Sequence, residues 1–331
     1  MIRVLGAGII GLSVADELVG RGHEVEVVDP SPGSGASYAA AGMLSPAGEL
    51  WHGETSLYEL GRESLELWPA FADRLGVHLQ YGTLIAAVDR DDLQDVERNL
   101  TLMTSHGDEP RLLTRAEIAT FEPRLGAVAG GALLPNDHSV DPRAVVAALL
   151  ARLGDRVVPS SKASPDVTVI ATGACLPEPF ASLVRGVRGE ILRLRTDDLP
   201  ERPIRGLVHG EPVYLVPRPN GELIVGATQE EHDGPPIVTA EGVWRLLNAA
   251  RRLLPSIDRA EVVELTARDR PGTADNLPLI GPVGEGVVLA AGHFRHGVML
   301  APLTARLVAD HLETGRVVAA LDPGRLMRNA A

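Results

Sequence analysis

Cysteine is almost missing from this sequence. Cys175 is the only cysteine among 331 residues, which excludes an intrachain disulfide and any metal site built from several cysteines. The chain also begins directly on a strand-like segment, 2–5, without a charged and apolar leader. We therefore expect a cytoplasmic protein. Cys175 itself is expected to be a small buried residue rather than a nucleophile.

Long apolar runs and an excess of positive charge are also missing. No apolar stretch approaches the roughly 18 residues needed to cross a bilayer. The 31 basic and 44 acidic residues give a formal net charge of −13, which disfavours binding to nucleic acid or to an anionic membrane surface. We expect neither as a partner, and no residue cluster predicts a metal site. The oligomeric state stays open, with a homo-oligomer as one alternative.

The length and the residue patterns predict two domains, because 331 residues exceed the size at which one hydrophobic core usually stops growing. Residues 2–30 have the pattern of strand, glycine turn, helix and strand. The apolar run 167–171 is typical of a buried parallel strand. Residues 190–227 are rich in strand patterns, and a last helix is predicted from about Gly297 to Thr314. We expect an α/β fold with a strand-rich domain inserted into a parallel-sheet domain.

A glycine turn near the N-terminus predicts a dinucleotide site. Gly6, Gly8 and Gly11 form G-x-G-x-x-G between a strand and a helix, where glycines permit a tight turn and close approach to a pyrophosphate. Asp29 ends the next strand, where an acid binds a ribose hydroxyl. The alternative is a turn that serves packing alone. The motif does not separate FAD from NAD, but Asp29 disfavours NADP.

Three further segments favour FAD. They are 37–44, 169–173 and 292–297. Small residues at 39–42 allow a planar ring to lie against the backbone, and a helix beginning at Gly297 would stabilise negative charge on a reduced flavin. Each segment taken alone is also explained as an ordinary loop or helix cap. Their presence together with the glycine turn is hard to explain by packing.

The motifs GAGIIG, AAAGML, VYLVPR, ELIVGAT, RPGTADNLPLIG and AAGHFRHG follow in order along nearly the whole chain. On these motifs the sequence resembles the D-amino-acid oxidase superfamily, and within it the glycine oxidases of thiamine biosynthesis. The resemblance implies non-covalent FAD. It also implies a glutathione-reductase-type, Rossmann-like FAD-binding domain with an inserted, mostly antiparallel β-sheet substrate domain. The implied FAD-binding domain comprises 1–82, 139–176 and 263–331, and the substrate domain 83–138 and 177–262.

The resemblance also assigns cofactor contacts, mainly to small residues and main-chain groups. The residues expected to line FAD are Gly6, Gly8, Ile9, Ile10, Gly11, Asp29, Pro30, Ala36, Ser37, Ala41, Gly42, Met43, Ala163, Gly173, His293, Phe294, Arg295, His296, Gly297, Val298 and Met299.

Three residues receive roles toward the substrate from the same resemblance. Arg270 would pair with the carboxylate of an amino acid, Tyr214 would hydrogen-bond it, and the main-chain carbonyl of Arg295 would accept from its amine. The alternative for Arg270 is a surface arginine in a turn, and the alternative for Tyr214 is a strand aromatic packed in the core. His293 and His296 are expected to be structural, because hydride transfer here needs no histidine.

The implied reaction is oxidation of glycine, sarcosine or a small D-amino acid, with oxygen reduced to hydrogen peroxide. A dehydrogenase of small D-amino or imino acids that passes electrons to a quinone or carrier is the first alternative. A flavin-binding protein without amino-acid turnover is the second. The residues alone do not rank the substrates.

The sequence departs from the family pattern in several places. Only residues 157–166 stand where the family has a longer stretch with a hairpin over the adenine side, which predicts weaker FAD retention. Gln229 replaces a typical methionine and Pro212 a common histidine, so the preferred substrate stays open. The segment 292–299 has no cysteine for a covalent flavin bond.

Overall fold

A computed structural model describes residues 1–232 and 234–327. Within them, the strands in chain order are β1 (Ile2–Leu5), β2 (Val25–Val28), β3 (Met43–Leu44), β4 (Leu79–Ala87), β5 (Arg111–Thr114), β6 (Gly130–Val140), β7 (Val157–Val158), β8 (Val167–Ile170), β9 (Arg185–Arg195), β10 (Ile204–Val208), β11 (Glu211–Pro217), β12 (Glu222–Gly226), β13 (Glu230–Glu231), β14 (Glu261–Gly272), β15 (Leu279–Gly284) and β16 (Val287–Ala291). The helices are α1 (Ile9–Gly20), α2 (Ala36–Ala39), α3 (Thr55–Leu75), α4 (Arg90–Ser105), α5 (Arg115–Phe121), α6 (Pro142–Leu153), α7 (Ala240–Leu253), α8 (Ala301–Thr314) and α9 (Gly324–Met327).

The first sheet has six strands in the order β15-β16-β8-β1-β2-β7. Strand β1 is parallel to β2 and to β8, with Val4 opposite Val27 on one side and Val169 on the other. Only β15 runs antiparallel to its neighbour. The chain therefore has the predicted strand–turn–helix–strand start, and the predicted parallel strand at 167–171 lies beside it.

Helices cover this sheet through their apolar faces. Leu12 of α1, Leu149 of α6 and Val308 of α8 are all fully buried in one core cluster with Val4. Full burial of such a side chain contributes roughly 1.5–3 kcal/mol relative to exposure. Strand β1 consequently lies in the interior, and the turn that follows it is held rigidly at the end of the strand.

The second sheet has ten strands and is mostly antiparallel. Its main path is β13-β9-β12-β11-β10-β4-β6-β3, with β14 paired to β9 and β5 to β6. The pair β4–β10 is parallel. Strand β14 pairs with β9 from Glu261 to Gly272, so this sheet extends across the predicted boundary between 262 and 263. It also extends past the boundaries at 82 and 138, through β4 and β6. The division into two domains at those positions stays a prediction.

The last long helix begins later than the sequence predicted. A 3-10 turn spans Phe294–His296, and α8 begins at Ala301 instead of about Gly297. Phe294 has a φ of +47°, which interrupts right-handed helix. Pro302 lacks the N–H that would bond back to the carbonyl of Val298, and Ala301 N–H donates to that carbonyl instead, at 3.2 Å. The predicted helix start at Gly297 is therefore wrong.

Cys175 is exposed, so the expectation that it is buried is wrong. It lies in the turn after β8, outside the apolar layer that buries the strand itself, and its N–H donates to the carbonyl of Thr172 at 3.4 Å. Among the helices of the described residues, none combines the length and the hydropathy needed to cross a membrane.

Candidate active site

The glycine turn is built for close packing on one side and for access on the other. Gly6 has a φ of +99°, and a Cβ there would collide with the carbonyl of Ala171. A Cβ at Gly11 would collide with the carbonyl of Gly6. A Cβ at Gly8 would meet only the hydroxyl of Ser37, at 3.3 Å. Gly6 and Gly11 thus let β1, β8 and α1 approach, whereas Gly8 borders open space.

Polar groups gather at this turn. The N–H of Ala7 donates to Asp29 Oδ2 at 2.7 Å, and the N–H of Ser31 donates to Asp29 Oδ1 at 2.7 Å. The N–H of Ile9, the first residue of α1, donates to the Ser37 hydroxyl at 2.9 Å. The Asp29 carboxylate therefore lies at the mouth of the turn, with Pro30 exposed beside it, and Ile10 continues the first turn of α1.

The ends of β1 and β8 fit a dinucleotide. The carboxyl ends of parallel strands form the crevice in which such folds bind nucleotides. The hydroxyl of Thr172, just after β8, is buried without a hydrogen-bond partner. Gly173 follows with a φ of +66°, and a Cβ there would meet nothing within 4 Å. Together with Gly8 and the N-terminus of α1, these groups offer the space and the donors that the pyrophosphate of FAD requires.

The segment that the sequence assigned to the flavin ring joins the two sheets. Ala36 and Ser37 begin α2, and Met43 in β3 pairs with Ser139 in β6. Gly42 has a φ of +75°, and a Cβ there would collide with the carbonyl of Val140. The carbonyl of Ala41 accepts from the Arg218 guanidinium. Burial lowers the pKa of Arg218 to about 10.

The 293–299 segment is fixed from several directions. His293 Nε2 lies 2.9 Å from the hydroxyl of Thr304. The carbonyl of Met299 accepts from the Ser64 hydroxyl at 2.6 Å and from Trp68 Nε1 at 2.9 Å. Burial lowers the pKa of His293 to about 3, so its imidazole is neutral near pH 7.

His296 is also buried, and burial lowers its pKa to about 4 while the Glu49 carboxylate opposes that shift. Its Nε2 atom is buried without a partner. Gly297 and Val298 continue the turn, and Leu300 N–H donates to the carbonyl of His296 at 2.8 Å. A neutral imidazole at this position leaves the segment without a general acid at pH 7.

The structure places Ala163 differently from the other cofactor candidates. It is exposed, and its carbonyl accepts from Arg3 Nη2 at 2.8 Å. Residues 159–166 form no helix or strand. The described chain therefore shows no hairpin in this segment, and a contact of Ala163 with FAD stays a prediction.

Arg270 of β14 and Tyr214 of β11 lie close together. Arg270 Nη1 donates to the carbonyl of Thr228 at 3.1 Å. Burial raises the pKa of the Tyr214 hydroxyl, while the charge of Arg270 and a hydrogen bond from it oppose that rise. A Cβ at Gly189 would collide with the Arg270 guanidinium, and one at Gly226 with the Tyr214 ring and hydroxyl. These two glycines create the space for both side chains, and sequence reasoning missed them.

An ion-pair network surrounds the Arg295 side chain. Its Nε lies 2.7 Å from Glu49 Oε2, and its Nη2 lies 3.1 Å from Glu54 Oε2. Arg205 of β10 donates to the other oxygen of Glu49. Asn276 Nδ2 donates to the other oxygen of Glu54 at 2.9 Å. Although burial raises the pKa of Glu49, the Arg205 and Arg295 charges lower it to about 2, so Glu49 is an anion at any working pH.

A buried carboxyl lies next to this network. Asp137 is 2% exposed and accepts from the Ser45 hydroxyl and, at 3.4 Å, from the N–H of Gly48. Burial raises its pKa to about 7, while Ser45 and then the charge of Arg205 oppose the rise. Asp137 thus changes its charge near neutrality beside a fixed cation.

The sequence carried only a partial signal for these polar residues. Glu49 and Glu54 follow the AAAGML motif within ten residues, so a polar loop beside the flavin segment could have been suspected. Arg205 and Asp137 come from strands β10 and β6, far apart in the chain, and no local pattern joins them. Glu49, Glu54 and His296 also line one small pocket.

Comparison with known proteins shows the family to which the chain belongs. The model of the DAO family, FAD-dependent oxidoreductases, matches residues 1–311. A glycine oxidase from Geobacillus kaustophilus is 32% identical over 99% of this chain and 97% of its own. The crystal structure of glycine oxidase from that species superposes with a TM-score of 0.86, at 30% identity over 97% of both chains.

A second kind of relative is longer. The bifunctional protein ThiO/ThiG of Trichormus variabilis is 32% identical over 94% of this chain, but the chain spans only 52% of that protein's length. The glycine turn, the 37–44 segment and the 292–297 segment therefore lie within a match that runs through both sheets. The chain belongs to the DAO family of FAD-dependent oxidoreductases and has its fold, as the motifs predicted.

Proposed function

We propose that this protein oxidises glycine or a similarly small amino acid, with FAD as its non-covalent cofactor. The observation that carries the proposal is the placement of the half-buried Arg270 guanidinium beside the half-buried Tyr214 hydroxyl. Relatives named glycine oxidase support the choice of substrate class. We also propose that the residues assigned to FAD from the sequence contact this cofactor.

Arg270 and Tyr214 bind the carboxylate end of the substrate. A planar guanidinium matches two carboxylate oxygens at once, and the tyrosine hydroxyl adds a further donor. The raised pKa of Tyr214 keeps that hydroxyl protonated and able to donate. Gly189 leaves room for the Arg270 guanidinium and Gly226 leaves room for the Tyr214 hydroxyl, because a Cβ at either glycine would collide with that group.

The amine end is bound by the main-chain carbonyl of Arg295. His293 and His296 are neutral near pH 7, and the Glu49 carboxylate is committed to two arginines. The site thus orients a neutral amine rather than providing a strong base for it. Orientation at both ends of a small molecule fixes which hydrogen on its α-carbon faces the flavin.

FAD, when bound, accepts a hydride equivalent from the α-carbon of the substrate. For glycine the overall reaction consumes one oxygen and one water and yields glyoxylate, ammonia and hydrogen peroxide. The first product is an imine, and its hydrolysis gives the glyoxylate and ammonia. We infer that in thiamine biosynthesis this imine feeds thiazole formation instead, because a relative from Rhizobium etli, 36% identical over 95% of this chain, is named provisionally as the oxidoreductase ThiO of that pathway.

Two departures from the family pattern bear on the choice among small substrates. Pro212 and Gln229, which depart from the family pattern, are both exposed. Neither adds an apolar side chain to the buried part of the site. We propose that glycine, sarcosine, D-alanine and D-proline all compete for the site, with size as the main discriminator.

The aerobic reaction tests the proposal. We expect glycine to cause oxygen consumption, with one hydrogen peroxide for each glyoxylate formed. The alternative is a dehydrogenase, which would reduce an added quinone or dye but form little peroxide. A protein that reduces neither oxygen nor an added acceptor with any small amino acid would contradict the proposal.

A further inference from the structure

Four separate parts of the chain converge on the Arg295 side chain. Glu49 ends a 3-10 turn, Glu54 precedes α3, Arg205 is in β10, and Asn276 is in the turn between β14 and β15. The two carboxylates contact the guanidinium at 2.7 and 3.1 Å. Each carboxylate is held at its second oxygen, by Arg205 and by Asn276 respectively. Such a closed set of charge-assisted contacts restricts a side chain to one orientation.

The backbone that carries Arg295 needs this restraint. Phe294 has a φ of +47°, a conformation that non-glycine residues rarely adopt and that persists only where neighbours enforce it. Phe294 and His296 are buried on either side, and Arg295 alone reaches the charged network. The ion pairs therefore fix the peptide between buried neighbours.

We propose that Glu54 is a positioning residue, which holds the Arg295 side chain so that the main-chain carbonyl of Arg295 keeps the orientation that accepts the substrate amine. This inference rests on the proposed function. Glu54 acts only at the amine end of the substrate, because its contacts are to Arg295 and Asn276 and not to Arg270 or Tyr214.

Glu54 is a cleaner test of this idea than Glu49. The charge of Glu49 acts on Tyr214, so a change there disturbs the carboxylate end as well. The Glu54 side chain makes no capping hydrogen bond to α3, so Glu54→Gln removes the charge without removing a helix cap. The matched control is Glu63→Gln, which breaks another ion pair from α3, to Arg306 of α8 on the surface.

The experiment compares a ligand that has an amine with one that lacks it. For Glu54→Gln we expect kcat/KM for glycine to fall roughly tenfold to a hundredfold, since a misplacement of about 1 Å has effects of that size. The dissociation constant of acetate, which offers only a carboxylate, should stay within about twofold when measured from the perturbed flavin spectrum. Asn276→Ala should likewise lower kcat/KM for glycine and leave the acetate constant within about twofold, and Glu63→Gln should change neither quantity.

Two results would overturn the inference. Unchanged kcat/KM in Glu54→Gln would show that the ion pair does not position the carbonyl. Equal weakening of glycine and acetate would show a general collapse of the pocket instead. A wild-type protein that oxidises no amino acid would remove the proposed function and this inference with it, whereas an active wild type beside an equally active Glu54→Gln would remove the inference alone.

Discussion

We expect substrate binding to depend most strongly on the Arg270 side chain. Hydrogen bonds to charged groups contribute roughly 1.5–3 kcal/mol each. The loss of a bidentate pair in Arg270→Ala should therefore lower kcat/KM for glycine at least about tenfold, and we expect about a hundredfold or more. Arg270→Lys should recover only part of the lost kcat/KM, because the point charge of a lysine does not reproduce the planar guanidinium that matches two carboxylate oxygens. Tyr214→Phe should show a smaller loss of the same kind. The measurement is oxygen consumption by variants of confirmed FAD content, with the exposed Arg195→Ala as control.

Gly189 provides a test that leaves Arg270 itself unchanged. A Cβ at this position would collide with the guanidinium, and the flexible arginine would move rather than the strand. Gly189→Ala should therefore lower kcat/KM for glycine by about tenfold or more while the unfolding temperature shifts little. Gly20→Ala, where a Cβ would meet nothing, is the control. Full activity in Gly189→Ala would contradict the assigned position of Arg270.

Asp137 predicts a pH dependence of stability. Burial raises the pKa of its carboxyl from 3.8 to about 7, so the folded state binds this proton more tightly than the unfolded state. That contribution is fully present below about pH 4 and is lost as the pH rises towards 7. Relative to wild type, Asp137→Asn should gain free energy of unfolding over this window, by at most about 1.4 kcal/mol per pH unit.

Urea unfolding of the FAD-saturated protein at several pH values between 4.5 and 7.5 measures this difference. The exposed Asp155→Asn serves as control. Parallel curves for Asp137→Asn and wild type would show that the buried carboxyl keeps an ordinary pKa.

We expect the short 157–166 segment to weaken the retention of FAD. After β7 pairs with β2, residues 159–166 form no strand, and Arg3 ties them down through Ser161 Oγ at 3.0 Å and the carbonyl of Ala163. We expect gel filtration without added FAD to strip part of the cofactor, and more than from the Geobacillus kaustophilus glycine oxidase run in parallel. Full occupancy after extensive dialysis would mean that another segment covers the adenine side.

Individual elements differed in how well the sequence predicted them. Helix α6 begins as predicted, because Asp141 accepts from the N–H of Arg143 and Pro142 stands in the first turn. The start of α8 was missed, because residues 297–300 form turns and Pro302 lacks the N–H that would bond to the carbonyl of Val298. The periodicity of apolar residues and the capping residues of a helix are visible in the local sequence. A backbone angle that is imposed by contacts with distant parts of the chain leaves no such pattern in the sequence.

The active site shows the same limit over longer distances. Motifs singled out Arg270, Tyr214 and the glycine turn, because each lies in a recognisable local stretch, and the roles of these residues toward substrate and FAD stay predictions. The network of Arg205, Glu49, Glu54 and Asn276 was not predicted, since its members come from different elements and meet only after both sheets have formed. Sequence reasoning identified the family of the molecule but not the charges that hold its 293–299 segment.

Denaturation of the protein by acid or heat should release free FAD. The segment 292–299 has no cysteine, and the only cysteine, Cys175, is exposed in the turn after β8. The purified protein should be yellow, and the precipitated chain should leave the flavin in solution. Flavin that stays with the denatured chain would contradict non-covalent binding, and bound NAD without flavin would contradict the cofactor itself.

An anaerobic titration of the purified protein with small amino acids is the most direct test of the central claim. Glycine, sarcosine, D-alanine and D-proline are added in turn to the oxidised flavoprotein without oxygen, with acetate as the unreactive control. We predict that at least glycine bleaches the flavin absorbance near completion, that Arg270→Ala bleaches far more slowly, and that acetate shifts the spectrum without bleaching it. A flavin that stays oxidised with every amino acid in the series would contradict the account.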